Sequence, residues 1–156
     1  MQTAYITHPE CQLHDMGRYH PESPERLRAI EDQLIASGLL GLLSEHEAPA
    51  ASREQLIRVH DAAYVDEIEA AAPDSGIVHL DPDTAMNAHS YRAALHAAGA
   101  AILAADLVIG EKVANAFCSV RPPGHHAMVS DMNGFCLFNN GVITAKTAIE
   151  KYNLQR

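Results

Sequence analysis

The chain has 156 residues, 47% hydrophobic and 20% charged, with a formal net charge of -9 at pH 7. That length suits one domain with a sizeable buried core, and the balance is that of a folded globular chain, not a disordered one. With no basic run to release counterions from phosphates, a nucleic-acid binder is excluded, whereas the acidity fits cationic substrates or plain solubility equally well. Cys11, Cys118 and Cys136 are odd in number, widely spaced and without a CxxC pair. This pattern points to a reducing compartment and away from a disulfide framework or a cysteine zinc site. MQTAYITHPE has no charged segment leading into an apolar one, so no signal peptide is read there. The alanine-rich stretch from Ala93 to Ile109 is interrupted by His96 and Asp106, which argues against a membrane span. The expected location is cytoplasmic.

In chain order, Thr3 to Thr7 (TAYIT) reads as a first strand, followed by a polar loop to Pro24. Ser23 as N-cap and Pro24 at the first helical position open a helix in which Leu27, Ile30, Leu34 and Ile35 recur at helical spacing up to Gly38. Glu47 to Ala51 is a candidate second strand, Ser52 caps a helix from Arg53 to Val59, and a third helix covers Ala62 to Ala71. Pro73 to Pro82 is turn-rich. The longest helix then spans about His89 to Val108, where alanines and Gly99 allow close packing. Ala114 to Val120 (ANAFCSV) reads as a buried strand, and Asn140 caps a last helix from Gly141 to Lys151. Strands alternating with helices, and no evident hairpin, predict a parallel α/β sheet.

The densest chemistry lies in RPPGHHAMVSDMNGFCLFNN, Arg121 to Asn140. Adjacent side chains diverge on a strand or a helix, so His125 and His126 share one site only if the backbone turns between them. Pro122-Pro123-Gly124 suits that, because the prolines forbid a helix and Gly124 permits close approach. The loop follows a predicted strand, where open α/β sheets carry their sites, and histidine is a natural general base near neutral pH. The plain alternative is a Pro-Gly turn with two surface histidines. A Cys136-His126 thiol hydrolase is a further alternative, weakened by the apolar Phe135, Leu137 and Phe138 around the cysteine. His8, His14, His20, His60, His79, His89 and His96 are scattered with no metal-ligand spacing, and Asp131 reads as a solvated loop carboxylate.

RPPGHHA at 121 to 127 and GFCLFNN at 134 to 140 closely resemble the zinc-dependent histone deacetylase family, nearest its class II and bacterial acetylpolyamine amidohydrolase-like branches. HPESPERL at 20 to 27, RVHDAAYVDEI at 58 to 68, DPDT, and AAGAAI at 97 to 102 extend the likeness through the chain. The resemblance implies an arginase/deacetylase-like parallel sheet with helices on both faces, incomplete here, and hydrolysis of acetylated lysine or polyamine with Zn2+. It implies His126 as general base and later acid, and His125 as its electrostatic partner. It also implies that the Gly134 carbonyl receives the substrate amide, that Phe135 walls a narrow tube, and that Arg26 and Cys136 line an acetate cavity. Asp83 falls near a substrate-binding rim position.

The departure from the pattern concerns the metal. The family's zinc ligands, an Asp-x-His element and a later Asp, have no match among these residues. The first is expected about ten to fifteen residues beyond the closing helix, past Arg156, by the usual length of such connections. The chain is therefore read as the N-terminal part of one deacetylase domain, residues 1–156, inactive by itself. The alternative is a truncated, non-catalytic family member that binds a partner or a second copy through an uncovered sheet edge.

Overall fold

In a computed structural model, residues 2–155 are described. The middle strand, β1 (Thr3–Thr7), pairs in parallel with β2 (Ser44–Glu47) on one side and with β5 (Asn115–Cys118) on the other. Between β1 and β2 lie α1 (Glu10–Leu13), α2 (Glu25–Ala36) and a 3-10 turn at Leu40–Leu42. Between β2 and β5 come α3 (Arg53–Leu56), α4 (Ala62–Ala70), the short strands β3 (Ile77–His79) and β4 (Ala85–Asn87), and the long α5 (Ser90–Ile109). The last helix, α6, spans Asn140–Tyr152. This is an α/β architecture with a parallel sheet, as the sequence implies.

Alternation along β1 assigns the two faces. Ala4 and Ile6 pack against Ala100, Leu103 and Leu107 of α5, while Tyr5 turns the other way and stacks on Phe117 at 6.2 Å. On that side Phe117 and Ala29, Ile30 and Leu34 of α2 line one apolar groove, so helices lie over both faces of the sheet. A second core joins Leu56, Tyr64, Val65, Ile68, Met86, Ala98, Leu137, Phe138 and Ile143, and ties α6 and the 137–138 segment to α4 and α5. The close approach predicted at Gly99 is present: a Cβ there would lie 1.9 Å from the Pro49 carbonyl oxygen.

Several local expectations change, and the loop expected before Pro24 holds the short helix α1. The second strand ends at Glu47 instead of beginning there, because Pro49 has no N–H for the ladder and Ala51 N–H turns to Leu95 O at 2.9 Å. A hairpin exists where none was expected: β3 and β4 are antiparallel, joined by a turn in which Asp81 Oδ1 accepts from the N–H groups of Asp83 and Thr84, both at 2.6 Å. Asn139, not Asn140, caps α6, its side chain accepting from Val142 N–H at 3.2 Å. The α2 boundary also moves by one residue, with Pro24 at the cap and no side-chain cap bond. Ser52 caps α3 as predicted, with a full capping box to Gln55.

Candidate active site

Strands β1 and β5 are parallel, so the loops leaving their C-terminal ends emerge together. Arg121, just past β5, is wholly buried and reaches back under the β1 loop. Its guanidinium holds Glu22 in a two-pronged ion pair, with Nε 2.6 Å from Oε1, and its Nη1 donates to the carbonyls of Cys11 (3.1 Å) and His14 (2.6 Å). Four contacts from one planar fork fix where the loop begins. Gly124 then brings the two ends of the loop together. A Cβ there would lie 2.4 Å from Phe138 O and 2.6 Å from Asn140 N.

The backbone turns at the histidine pair, as the sequence required. His125 and His126 are both exposed, their ring centroids 4.2 Å apart and tilted by 53°. Among the described residues, neither imidazole has a hydrogen-bond partner. The His126 ring rests on Gly134, which has φ +52° and would place a Cβ 2.7 Å from His126 Cδ2. Phe135 also has positive φ, at +70°, and its ring meets the edge of His20 at 4.8 Å. His20 Nδ1 lies 3.1 Å from both the N–H and the carbonyl of Glu22, and Nε2–H donates to the Asp83 carbonyl at 3.1 Å. Through His20, then, Phe135 and Asp83 become neighbours despite their separation in sequence.

Cys136 is buried beneath the pair, and its Sγ–H donates to Gly134 O at 3.3 Å. Burial pushes the thiol up, only partly offset by the nearby backbone N–H groups of His126 and Ala127. A buried protonated thiol is a poor nucleophile, which weighs against the cysteine hydrolase alternative. Arg26 is half-exposed, donates to Val120 O at 3.0 Å and approaches Glu22 at 3.5 Å. The fully buried arginine is Arg121, to which the sequence reading assigned no role. Asp131 is exposed and uses its backbone carbonyl to accept from Met128 N–H at 2.8 Å.

Two scattered histidines do meet: His8 stacks on His96 with centroids 3.4 Å apart and an interplanar angle of 8°. Parallel rings do not converge their lone pairs on one ion. Among the described residues, no three His, Cys, Asp or Glu side chains are grouped to hold a metal. A catalytic zinc needs three protein ligands, so these residues do not by themselves fit one. His60 is the participant that sequence reasoning missed. It is 2% exposed, and its ring bridges Val129 O (3.3 Å) and Asn139 N–H (2.9 Å) on either side of the loop. It lies just before α4, within the RVHDAAYVDEI stretch, but the residues alone do not show that its ring spans the loop.

Comparison with known proteins places these features in context. A family profile described as "Histone deacetylase domain" matches residues 20–156. A histone deacetylase-like amidohydrolase of Pseudomonas aeruginosa is 38% identical over 137 residues, 88% of this chain and 36% of that protein. The polyamine deacetylase HDAC10 of Mus musculus is 37% identical, covering 95% of this chain and 22% of its own. A probable deacetylase of Archaeoglobus fulgidus is 37% identical, with 97% and 42% covered. The crystal structure of the HDA15 HD domain superposes with a TM-score of 0.90 at 34% identity, over 96% of this chain and 43% of that one. The chain thus spans less than half the length of each of these relatives.

Proposed function

This chain belongs to the histone deacetylase family, and on that premise we propose that it forms the N-terminal part of a single domain that hydrolyses acetylated amines, acetyl-lysine or acetylpolyamine. The observation that carries this reading is the pair of imidazoles, ring centroids 4.2 Å apart and without a hydrogen-bond partner among the described residues, with the His126 ring against Gly134. His126 takes a proton from the attacking water and returns it to the leaving amine, while His125 beside it stabilises the developing negative charge. The Gly134 carbonyl accepts one weak bond from Cys136 and keeps a lone pair for the substrate amide N–H. Phe135 offers an apolar wall to the methylenes of an acylated amine, with Asp83 beyond it at the rim.

Zinc, when bound, would polarise the acetyl carbonyl and acidify a water. Its ligands are proposed to come from outside these residues, so the 156-residue chain by itself is expected to be inactive. Arg26, 3.5 Å from Glu22, and the buried Cys136 are proposed to line the acetate cavity. The proposed compartment is the cytoplasm. The test is deacetylation of an acetyl-lysine peptide and an acetylpolyamine, with and without zinc, by the longest product of the native reading frame. His126→Ala should abolish turnover. Unchanged turnover in that variant would overturn the role given to His126.

A second reading, a non-catalytic interaction module, is favoured by one observation. Among the described residues β5 pairs only with β1, and apolar grooves of about 520 Å³ (with Phe117) and 390 Å³ (with Ala116) flank it. Pairing of a second copy along β5 would appear as a concentration-dependent dimer in sedimentation, and a strictly monomeric chain would exclude it.

A further inference from the structure

We propose that His60 is a positioning residue for the His125–His126 pair: one tautomer of its neutral ring ties together the two sides of the loop on which the pair stands. The catalytic meaning of this rests on the function proposed above, but the geometry does not. The backbone N–H of Asn139 can only donate, so the His60 Nε2 it meets at 2.9 Å is the bare nitrogen. The ring proton therefore sits on Nδ1, facing the Val129 carbonyl at 3.3 Å. One imidazole donates to the outgoing side of the loop and accepts from the returning side.

Neighbouring bonds carry this tie up to the pair. Asn139 Nδ2 donates to Ala127 O at 3.0 Å, one residue from His126, and Asn139 Oδ1 caps α6. Asp61 N–H also reaches Val129 O, at 3.0 Å, and its carboxylate accepts from Ser130 Oγ. The His60 ring clusters with those of Tyr64 and Phe138, with centroids at 5.4 and 5.6 Å, while Tyr64 O–H donates to Leu137 O at 2.7 Å. His60 touches neither imidazole of the pair through a hydrogen bond, so it acts through the loop. Burial lowers its pKa, opposed by the Val129 and Met128 backbone and by Asp61, which favours the neutral form that the two bonds need.

Three substitutions separate bonding from packing. His60→Gln places an amide oxygen near Nε2 and keeps the Asn139 bond. His60→Asn keeps a donor near Nδ1 only, and His60→Phe keeps the packing and neither bond. The measurement is the imidazole resonances of His125 and His126, together with amide exchange from Ala127 to Asn140, in the 156-residue chain. His60→Phe and His60→Asn leave Asn139 N–H without its acceptor, so they should shift both rings and speed exchange on the order of tenfold, while His60→Gln stays near wild type because Val129 O keeps its bond from Asp61 N–H. Unchanged rings in His60→Phe would overturn the proposal, and so would equal disturbance by His60→Gln and His60→Asn, since that is a packing effect. If His60→Phe does not fold, the Gln–Asn contrast decides alone. In an active longer product, His60→Asn should lower kcat on the order of tenfold to a hundredfold with KM little changed, as expected for misplaced catalytic groups. If the wild-type product shows no deacetylation, the function falls, while the resonance test of His60 still stands.

Discussion

The frame of the 121–140 loop and its tip obey different rules. Arg121, Gly124, Cys136, Leu137 and Phe138 are buried, and the frame's polar groups are tied to Glu22, Cys11, His14, Asn139 and Tyr64. His125, His126, Met128 and Val129, within the same loop, are exposed. Frame residues can be changed only at a cost to folding, because each buried polar partner left behind is desolvated and unpaired. Tip residues are free of that constraint. The difference teaches that the reactive groups are mounted, not packed: their geometry is inherited from neighbours that never face the site.

Arg121→Met should break the contrast most severely. It strands a buried Glu22 carboxylate, and chemical denaturation should show a loss of about 3–5 kcal/mol, the usual cost of unpairing a buried ion pair. Arg26→Met removes only a half-exposed partner of Glu22, and its loss should stay under about 1 kcal/mol.

The two glycines sharpen the same boundary. At Gly124 an added methyl meets backbone atoms that cannot move independently, whereas at Gly134 it meets the exposed His126 ring. Gly124→Ala should therefore lower the denaturation midpoint more than Gly134→Ala. The latter carries the positive-φ cost, about 1–3 kcal/mol, and shifts the His126 ring resonances as its distinguishing sign.

His14 gives the frame a pH signature. Its pKa falls from 6.5 to about 3 because burial opposes charge, helped by the positive charge of Arg121 and by His20. Glu22 lies 3.6 Å from Nε2, but its carboxylate is already engaged by Arg121, so burial prevails. The unfolded chain thus binds a proton below pH 6.5 that the folded chain refuses. Stability should be level above pH 6.5 from this residue, fall as the pH drops toward about 3, and then flatten. Denaturation midpoints across that range should lose part of their slope in His14→Gln, and an unaltered slope would exclude this source.

Asn139→Ala should cost about 1–2 kcal/mol, since it removes the α6 cap and the bond to Ala127 together. Smallest of all, His125→Ala and His126→Ala should change stability by no more than about 0.5 kcal/mol, as exposed substitutions do. Thermal melts of the two variants that match wild type would complete the contrast between frame and tip.

The periodic elements were legible because their signals are local. Leu27 through Ile35 recur with helical spacing, Ser52 carries a capping box, and TAYIT alternates between two buried faces. The β3–β4 hairpin leaves a weak trace in the sequence, because its strands are three residues long and β3 is exposed. Proline and glycine beside the paired histidines, read by themselves, suited a turn there but left open whether the two imidazoles share a site. Arg121 and His60 were not legible in that way. An arginine before prolines and a histidine before a helix have no periodicity, and their partners, Glu22, Val129 and Asn139, lie far along the chain. What the sequence alone determined is the longer helices, the first strand, the turn chemistry of the loop and the family resemblance, all properties of contiguous residues. Only the tertiary structure decided which polar groups are buried and with whom they pair. Desolvation depends on what surrounds a side chain in space, and that environment assembles only when β1, β5 and α4 come together.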